Sequence, residues 1–179
     1  MITTRIISTG ACVPEQVITN DDLSKIVDTS DEWIAQRTGI KRRHISAGEN
    51  TSYFAINTAR QVLERAEVSA EDVDLIIVAS VTADYGTPSL ACMVQKEIGA
   101  VNAVAFDVNA ACSGFMFALS IADKYIKTGM YENAIVIGAE TLSKIVDWKD
   151  RSTCVLFGDG SGLSLIHISE PTRLAVISY

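Results

Sequence analysis

The sequence is poor in the residues that build metal and disulfide frameworks. Its four cysteines, Cys12, Cys92, Cys112 and Cys154, stand far apart, and it has only two histidines. No C-x-x-C pair or histidine cluster is present, so zinc binding and dithiol redox chemistry have no footing, and free thiols fit a reducing compartment. Basic residues are outnumbered, 15 Lys and Arg against 22 Asp and Glu, for a net charge of -7. That balance argues against a nucleic-acid or anionic-membrane surface, which needs an extended basic face. No apolar run is long enough to span a bilayer. The first residues, Met1 to Arg5, lack the apolar stretch of a secretory signal, so the expected location is the cytoplasm. Proline is scarce, at three residues, and no Pro/Gly linker, repeat or low-complexity tract breaks the chain.

What is present is a chain of 179 residues with hydrophobic content of 48%, long enough for one packed domain but not for two. Strand and helix patterns alternate, which predicts an α/β layered fold with much of its sheet parallel. Strands are expected at Thr4 to Ser8, Leu75 to Ala79, Ala103 to Phe106, Ala134 to Gly138 and Thr153 to Phe157. Helices are expected around Asp21 to Val27, through Ala55, Ala59, Val62 and Ala66, from Pro88-Ser89 to Ile98, and from Phe115 to Ile126. The last of these is apolar on nearly all faces, the mark of a buried helix.

Chemistry concentrates at Asp107-Val108-Asn109-Ala110-Ala111-Cys112-Ser113-Gly114-Phe115, where an apolar strand turns directly into an apolar helix. A cysteine at such a junction meets unpaired backbone N–H groups and the positive end of the helix dipole, which favour an anion at sulfur. From the residues alone Cys112 is either a nucleophile or an inert buried thiol. Cys92 and Cys154 read as core filler. Thr29-Ser30-Asp31-Glu32 has capping-box spacing with Thr29 as N-cap. Trp33 and Arg37 share a face of the helix that follows, as a nucleotide clasp or as a half-buried surface pair. Lys41-Arg42-Arg43-His44 is a basic run that reads chiefly as a solvated charged turn.

Ala110-Ala111-Cys112-Ser113-Gly114-Phe115, Ser30-Asp31-Glu32-Trp33-Ile34 and Phe157-Gly158-Asp159-Gly160 together resemble the 3-oxoacyl-[acyl-carrier-protein] synthase III family. The resemblance covers residues 1–162, the first half of such an enzyme. It implies a thiolase-like fold, the first of two α/β halves of a layered α-β-α-β-α sandwich. It implies Cys112 as the catalytic nucleophile, Trp33, Arg37 and Arg151 as coenzyme A contacts, and Phe157 beside the acyl pocket, with Ala83 to Thr87 helping to shape it. It also implies transfer of an acyl group from acetyl-CoA or another short acyl-CoA to Cys112. Decarboxylative condensation with malonyl-acyl carrier protein follows, with no metal and no cofactor beyond the coenzyme A thioester substrate. Acyl carrier protein is the expected partner and a homodimer the expected assembly.

The family's catalytic histidine and asparagine come from the second half, and neither His44 nor His167 matches them, so the chain alone is expected to be inactive. From Leu163 the sequence Leu-Ser-Leu-Ile-His-Ile-Ser-Glu-Pro-Thr-Arg reads as an in-frame translation of a transposase-type sequencing adapter. Residues 163–179 are therefore expected to be a non-native tail. Other readings are a sister starter synthase using longer or branched acyl-CoA, a Cys-dependent thioester hydrolase, and a noncatalytic scaffold with a silent cysteine.

Overall fold

A computed structural model describes residues 3–169. Seven strands form, β1 (Thr3–Cys12), β2 (Val17–Thr19), β3 (Arg42–His44), β4 (Leu75–Ala79), β5 (Val104–Val108), β6 (Asn133–Thr141) and β7 (Asp159–Ser169). The helices are α1 (Asn20–Leu23), α2 (Asp31–Thr38), α3 (Thr51–Ala66), α4 (Leu90–Ile98), α5 (Gly114–Lys127) and α6 (Arg151–Cys154). The main sheet is five-stranded, in the order β1-β7-β6-β4-β5. β4 runs parallel to both β5 and β6, whereas β7 is antiparallel to β6 and β1. β2 and β3 make a separate antiparallel ribbon.

The period of two along each strand sorts side chains to the two faces of the sheet. Ile76 and Val78 of β4, Ile135 and Ile137 of β6, and Leu163 and Leu165 of β7 pack beneath α3 and α4. Leu75 and Ile77, Ala134 and Val136, and Ile166 with Ile168 face the opposite way, toward α5. Each fully buried Ile or Leu contributes about 1.5–3 kcal/mol relative to an exposed one. Residues 163–169 thus sit in the middle of the sheet, with β7 running through Gly162 and Leu163 without a break. The rest of the presumed tail, residues 170–179, lies outside the described residues.

Helix ends follow their capping residues. Ser89 accepts the Cys92 N–H to start α4, and Gly99, left-handed at φ 78°, ends it. Four expectations need correction. The N-cap of α2 is Ser30, whose hydroxyl accepts the Trp33 N–H; Thr29 lies one residue too early, and its hydroxyl has no hydrogen-bond partner among the described residues. Residues 153–157 are not a strand. Asp150 accepts the Ser152 N–H and opens the short helix α6 instead, so a cap outweighs the β preference of Thr153, Val155 and Phe157. α5 is not covered all round: one face packs on β4 and β6, but Met116 is 63% and Phe117 54% exposed. The basic run is a strand rather than a solvated turn, and Arg43 within it is buried.

Candidate active site

Cys112 lies in a tight turn, Ala111–Ser113, between the end of β5 and the first residue of α5. Ala111, just before it, holds φ at 47°. A non-glycine residue in that region costs about 1–2 kcal/mol, and such strain persists only where the surroundings impose it. Gly114, two residues after it, lies against β4, where an added Cβ would sit 3.0 Å from that of Ala79. The turn is therefore squeezed between strand and helix, and the Cys112 thiol faces outward and is exposed.

The thiol opens on a cavity of about 350 Å³ lined by Cys112, Val81, Phe115, Glu140, Leu142 and Phe157, among others. The volume falls in the range of small-molecule sites. Its walls come from the carboxyl ends of the parallel strands β4 and β6 and the residues just beyond them, where open α/β sheets bind ligands. Phe157 and Cys112 line the same cavity.

Glu140 is the residue that sequence reasoning missed. It accepts the Val81 N–H at 2.8 Å and the Thr82 hydroxyl, and the same hydroxyl accepts the Thr141 N–H at 2.8 Å. The carboxylate fixes the loop after β4 against the end of β6 and so shapes one wall of the cavity. The available signal was a lone charge closing an otherwise apolar strand.

The other predicted residues meet at a second place. The Arg37 guanidinium lies 4.3 Å and that of Arg151 4.7 Å from the centroid of the Trp33 ring. Arg151 also donates to the Asp28 carbonyl at 2.8 Å. Trp33 rests on a small apolar cluster of Leu23, Ile34, Cys154 and Val155. An aromatic face with guanidinium groups at its surface suits a planar, anionic ligand. The two places are joined by one short stretch of chain, since residues 151–157 carry Arg151 at one end and Phe157 at the other. Among the described residues, no group of His, Cys, Asp or Glu is arranged to hold a metal ion, and no helix is long and apolar enough to cross a membrane.

A family model for 3-oxoacyl-[acyl-carrier-protein (ACP)] synthase III matches residues 106–179. The chain is 55% identical over 174 residues to a beta-ketoacyl-[acyl-carrier-protein] synthase III of Clostridium novyi, across 97% of this chain and 54% of the relative. The crystal structure of 3-oxoacyl-[acyl-carrier-protein] synthase III from Aquifex aeolicus superposes with a TM-score of 0.92 at 54% identity, over 94% of this chain and 55% of that one. The priming β-ketosynthase of the R1128 polyketide pathway gives 0.91 at 34% identity, over 94% and 51%. The chain spans about half the length of the relatives it matches. In sequence and in its thiolase-like α/β architecture, over the length it spans, this chain is similar to the first half of 3-oxoacyl-[acyl-carrier-protein] synthase III proteins.

Proposed function

We propose that the chain is the nucleophile-bearing half of a condensing enzyme that begins fatty-acid synthesis. The observation that carries this reading is the exposed Cys112 thiol on an apolar cavity whose wall residue Phe157 is linked along the chain to Arg151 at the Trp33 ring. Trp33, Arg37 and Arg151 take the nucleotide end of coenzyme A, the indole stacking on the base and the guanidinium groups meeting phosphate. The acyl end enters the cavity. Sγ of Cys112 attacks the thioester carbonyl, the bond to the coenzyme sulfur breaks, and the acyl group remains on Cys112. Malonyl-acyl carrier protein loses carbon dioxide, and its carbanion attacks the acyl-cysteine, releasing Cys112 and forming 3-oxoacyl-acyl carrier protein. The coenzyme A thioester is a substrate, and no further cofactor is needed.

The family's histidine and asparagine, which stabilise the enolate, belong to the half that this chain does not span, so the chain performs no condensation alone. The uncovered face of α5 is the surface that half would cover. The intact enzyme is a cytoplasmic homodimer that receives acyl carrier protein. Residues 163–179 are a non-native tail; Leu-Ser-Leu-Ile-His-Ile-Ser takes the strand position of β7 because it supplies apolar side chains to both faces of the sheet.

The test joins residues 1–162 to the second half of the Clostridium novyi relative and supplies malonyl-acyl carrier protein with acetyl-CoA or isobutyryl-CoA. Carrier-linked product from the chimera, none from Cys112→Ser and none from the present chain supports the proposal. Release of free acid without carrier product overturns it in favour of a hydrolase.

A further inference from the structure

Arg43 is 5% exposed, and among the described residues no carboxylate pairs with it. A guanidinium taken from water without an anion is costly unless its donors are satisfied in another way. Here the planar fork reaches separate pieces of chain. Nη2 donates to Oδ1 of Asn20 at 2.9 Å and to the Val155 carbonyl at 3.0 Å, and Nη1 donates to the Ile18 carbonyl at 3.3 Å. Nε has no hydrogen-bond partner among the described residues.

Two of these acceptors, Asn20 and Val155, lead toward the site. Asn20, 1% exposed, passes the tie onward, its amide donating to Oδ1 of Asp31 at 2.8 Å and to the Ile40 carbonyl at 2.7 Å. Asp31 is the first residue of α2, the helix that carries Trp33 and Arg37. Val155 is the C-cap of α6, and it stands between Arg151 at the Trp33 ring and Phe157 in the Cys112 cavity. One buried side chain therefore fastens both elements that meet at Trp33, and it holds the stretch linking that place to the nucleophile.

We infer that Arg43 is a positioning residue, whose fork sets the spacing of Arg151 to Trp33 and, through Val155, the seat of Phe157 beside Cys112. Arg43 touches no ligand itself. The inference rests on the coenzyme A reading only for the ligand that this spacing serves. A lysine would not reproduce it, because its ammonium is a point charge without the planar fork.

The test uses the full chain carrying Trp148→Phe, which leaves Trp33 as the remaining one of its two tryptophans and a single indole N–H resonance to follow by NMR. Arg151→Ala moves that resonance, because a guanidinium leaves the ring. Arg43→Met is expected to abolish most of this Arg151-dependent shift, whereas Arg42→Met, exposed on the same strand, leaves it intact. An undiminished shift in folded Arg43→Met protein overturns the inference. Where Arg43→Met does not fold, Arg43→Lys decides by the same criterion. Coenzyme A titrated into the same samples is expected to bind about tenfold more weakly to the Arg43 variant; unchanged affinity there counts against the inference. An Arg43-dependent indole shift in a chain that binds no coenzyme A would discard the coenzyme reading and uphold the role of Arg43.

Discussion

The carboxylate of Asp107 accepts the backbone N–H of Leu90 at 2.7 Å and, through its other oxygen, that of Ala91 at 2.7 Å. The strand that leads to Cys112 thereby caps the helix packed beside it, placing negative charge at the positive end of α4. Hydrogen bonds to a charged group contribute about 1.5–3 kcal/mol each, and Ser89 still serves the Cys92 N–H. Asp107→Ala removes both and is therefore expected to cost about 3 kcal/mol or more, read as a lower midpoint in urea unfolding, and Asp107→Asn less. An unchanged midpoint for Asp107→Ala would remove this strand-to-helix tie from the account of the Cys112 turn.

Ala111 supplies a prediction of opposite sign. Glycine adopts a φ of 47° without the Cβ penalty of about 1–2 kcal/mol, but it adds freedom to the unfolded chain worth about 0.4–1 kcal/mol. Ala111→Gly should therefore leave global stability level or raise it by up to about 1.6 kcal/mol. A loss above about 1 kcal/mol in urea unfolding would mean that the alanine methyl packs favourably and that the turn is not strained.

Exposure and charge also order the thiols. Cys112 is exposed, Cys12 and Cys92 are intermediate and Cys154 is buried. Burial first, then the charge of Glu49, raises the pKa of Cys12; burial first, then Asp150, raises that of Cys154. With the thiolate as the reactive form, iodoacetamide at neutral pH should mark Cys112 before Cys12 or Cys154. Peptide mapping by mass spectrometry at short times checks the order, and Cys154 appearing first would contradict the burial of α6 against Leu23 and Ile34.

Elements whose own residues specify them were legible in the sequence. Ser89 and Gly99 bracket α4, the spacing of Ala55, Ala59 and Val62 marks the buried face of α3, and the β-branched run Ile76-Ile77-Val78 gives a strand buried on both faces. The misreadings fall where distant residues decide. Thr153 to Phe157 has strand character, yet Asp150 caps a helix there and Arg43, far off in sequence, takes the Val155 carbonyl. A run of Lys, Arg, Arg and His reads as solvated, and nothing local announces that Asn20 and Ile18 will receive one guanidinium. Cys112 and Trp33 stand in the motifs that carry the resemblance, whereas Arg151 taken alone reads as an ordinary loop charge. That Phe157 and Arg151 end one short tether, and that Glu140 braces the cavity, depends on long-range packing.

Asp123 on α5 links that helix to β1, accepting the Thr4 hydroxyl at 2.6 Å with Lys127 and Lys124 at 3.0 and 3.3 Å. The Thr4 hydrogen bond, followed by those of the two lysines, lowers its pKa from the ordinary 3.8. A depressed folded value means the carboxylate stabilises the fold fully above the unfolded pKa, and that contribution is lost as pH falls through the lower folded value. Asp123→Asn should thus lower the melting temperature at neutral pH and flatten its decline below about pH 4. Parallel pH profiles for the two proteins would show that the tie is energetically silent.

The uncovered face of α5 makes the last prediction. Met116 is 63% exposed and Phe117 54%, Ile6 of the edge strand β1 is 54% exposed, and between α5 and β1 lies a hollow of about 340 Å³ lined by Ile6, Met116, Leu119 and Ile166. Contiguous apolar surface of this kind associates in water, each buried methylene contributing about 0.8 kcal/mol. The chain alone should therefore self-associate as its concentration rises, visible in sedimentation velocity. Met116→Glu places a carboxylate on the wall of the same hollow as Arg5 without disfavouring helix, since glutamate and methionine have similar propensities. It should shift the distribution toward monomer while leaving the far-ultraviolet circular dichroism unchanged. A wild-type chain that stays monomeric at every concentration would mean that this face needs no cover, and the argument that it awaits the other half of a layered sandwich would fall with it.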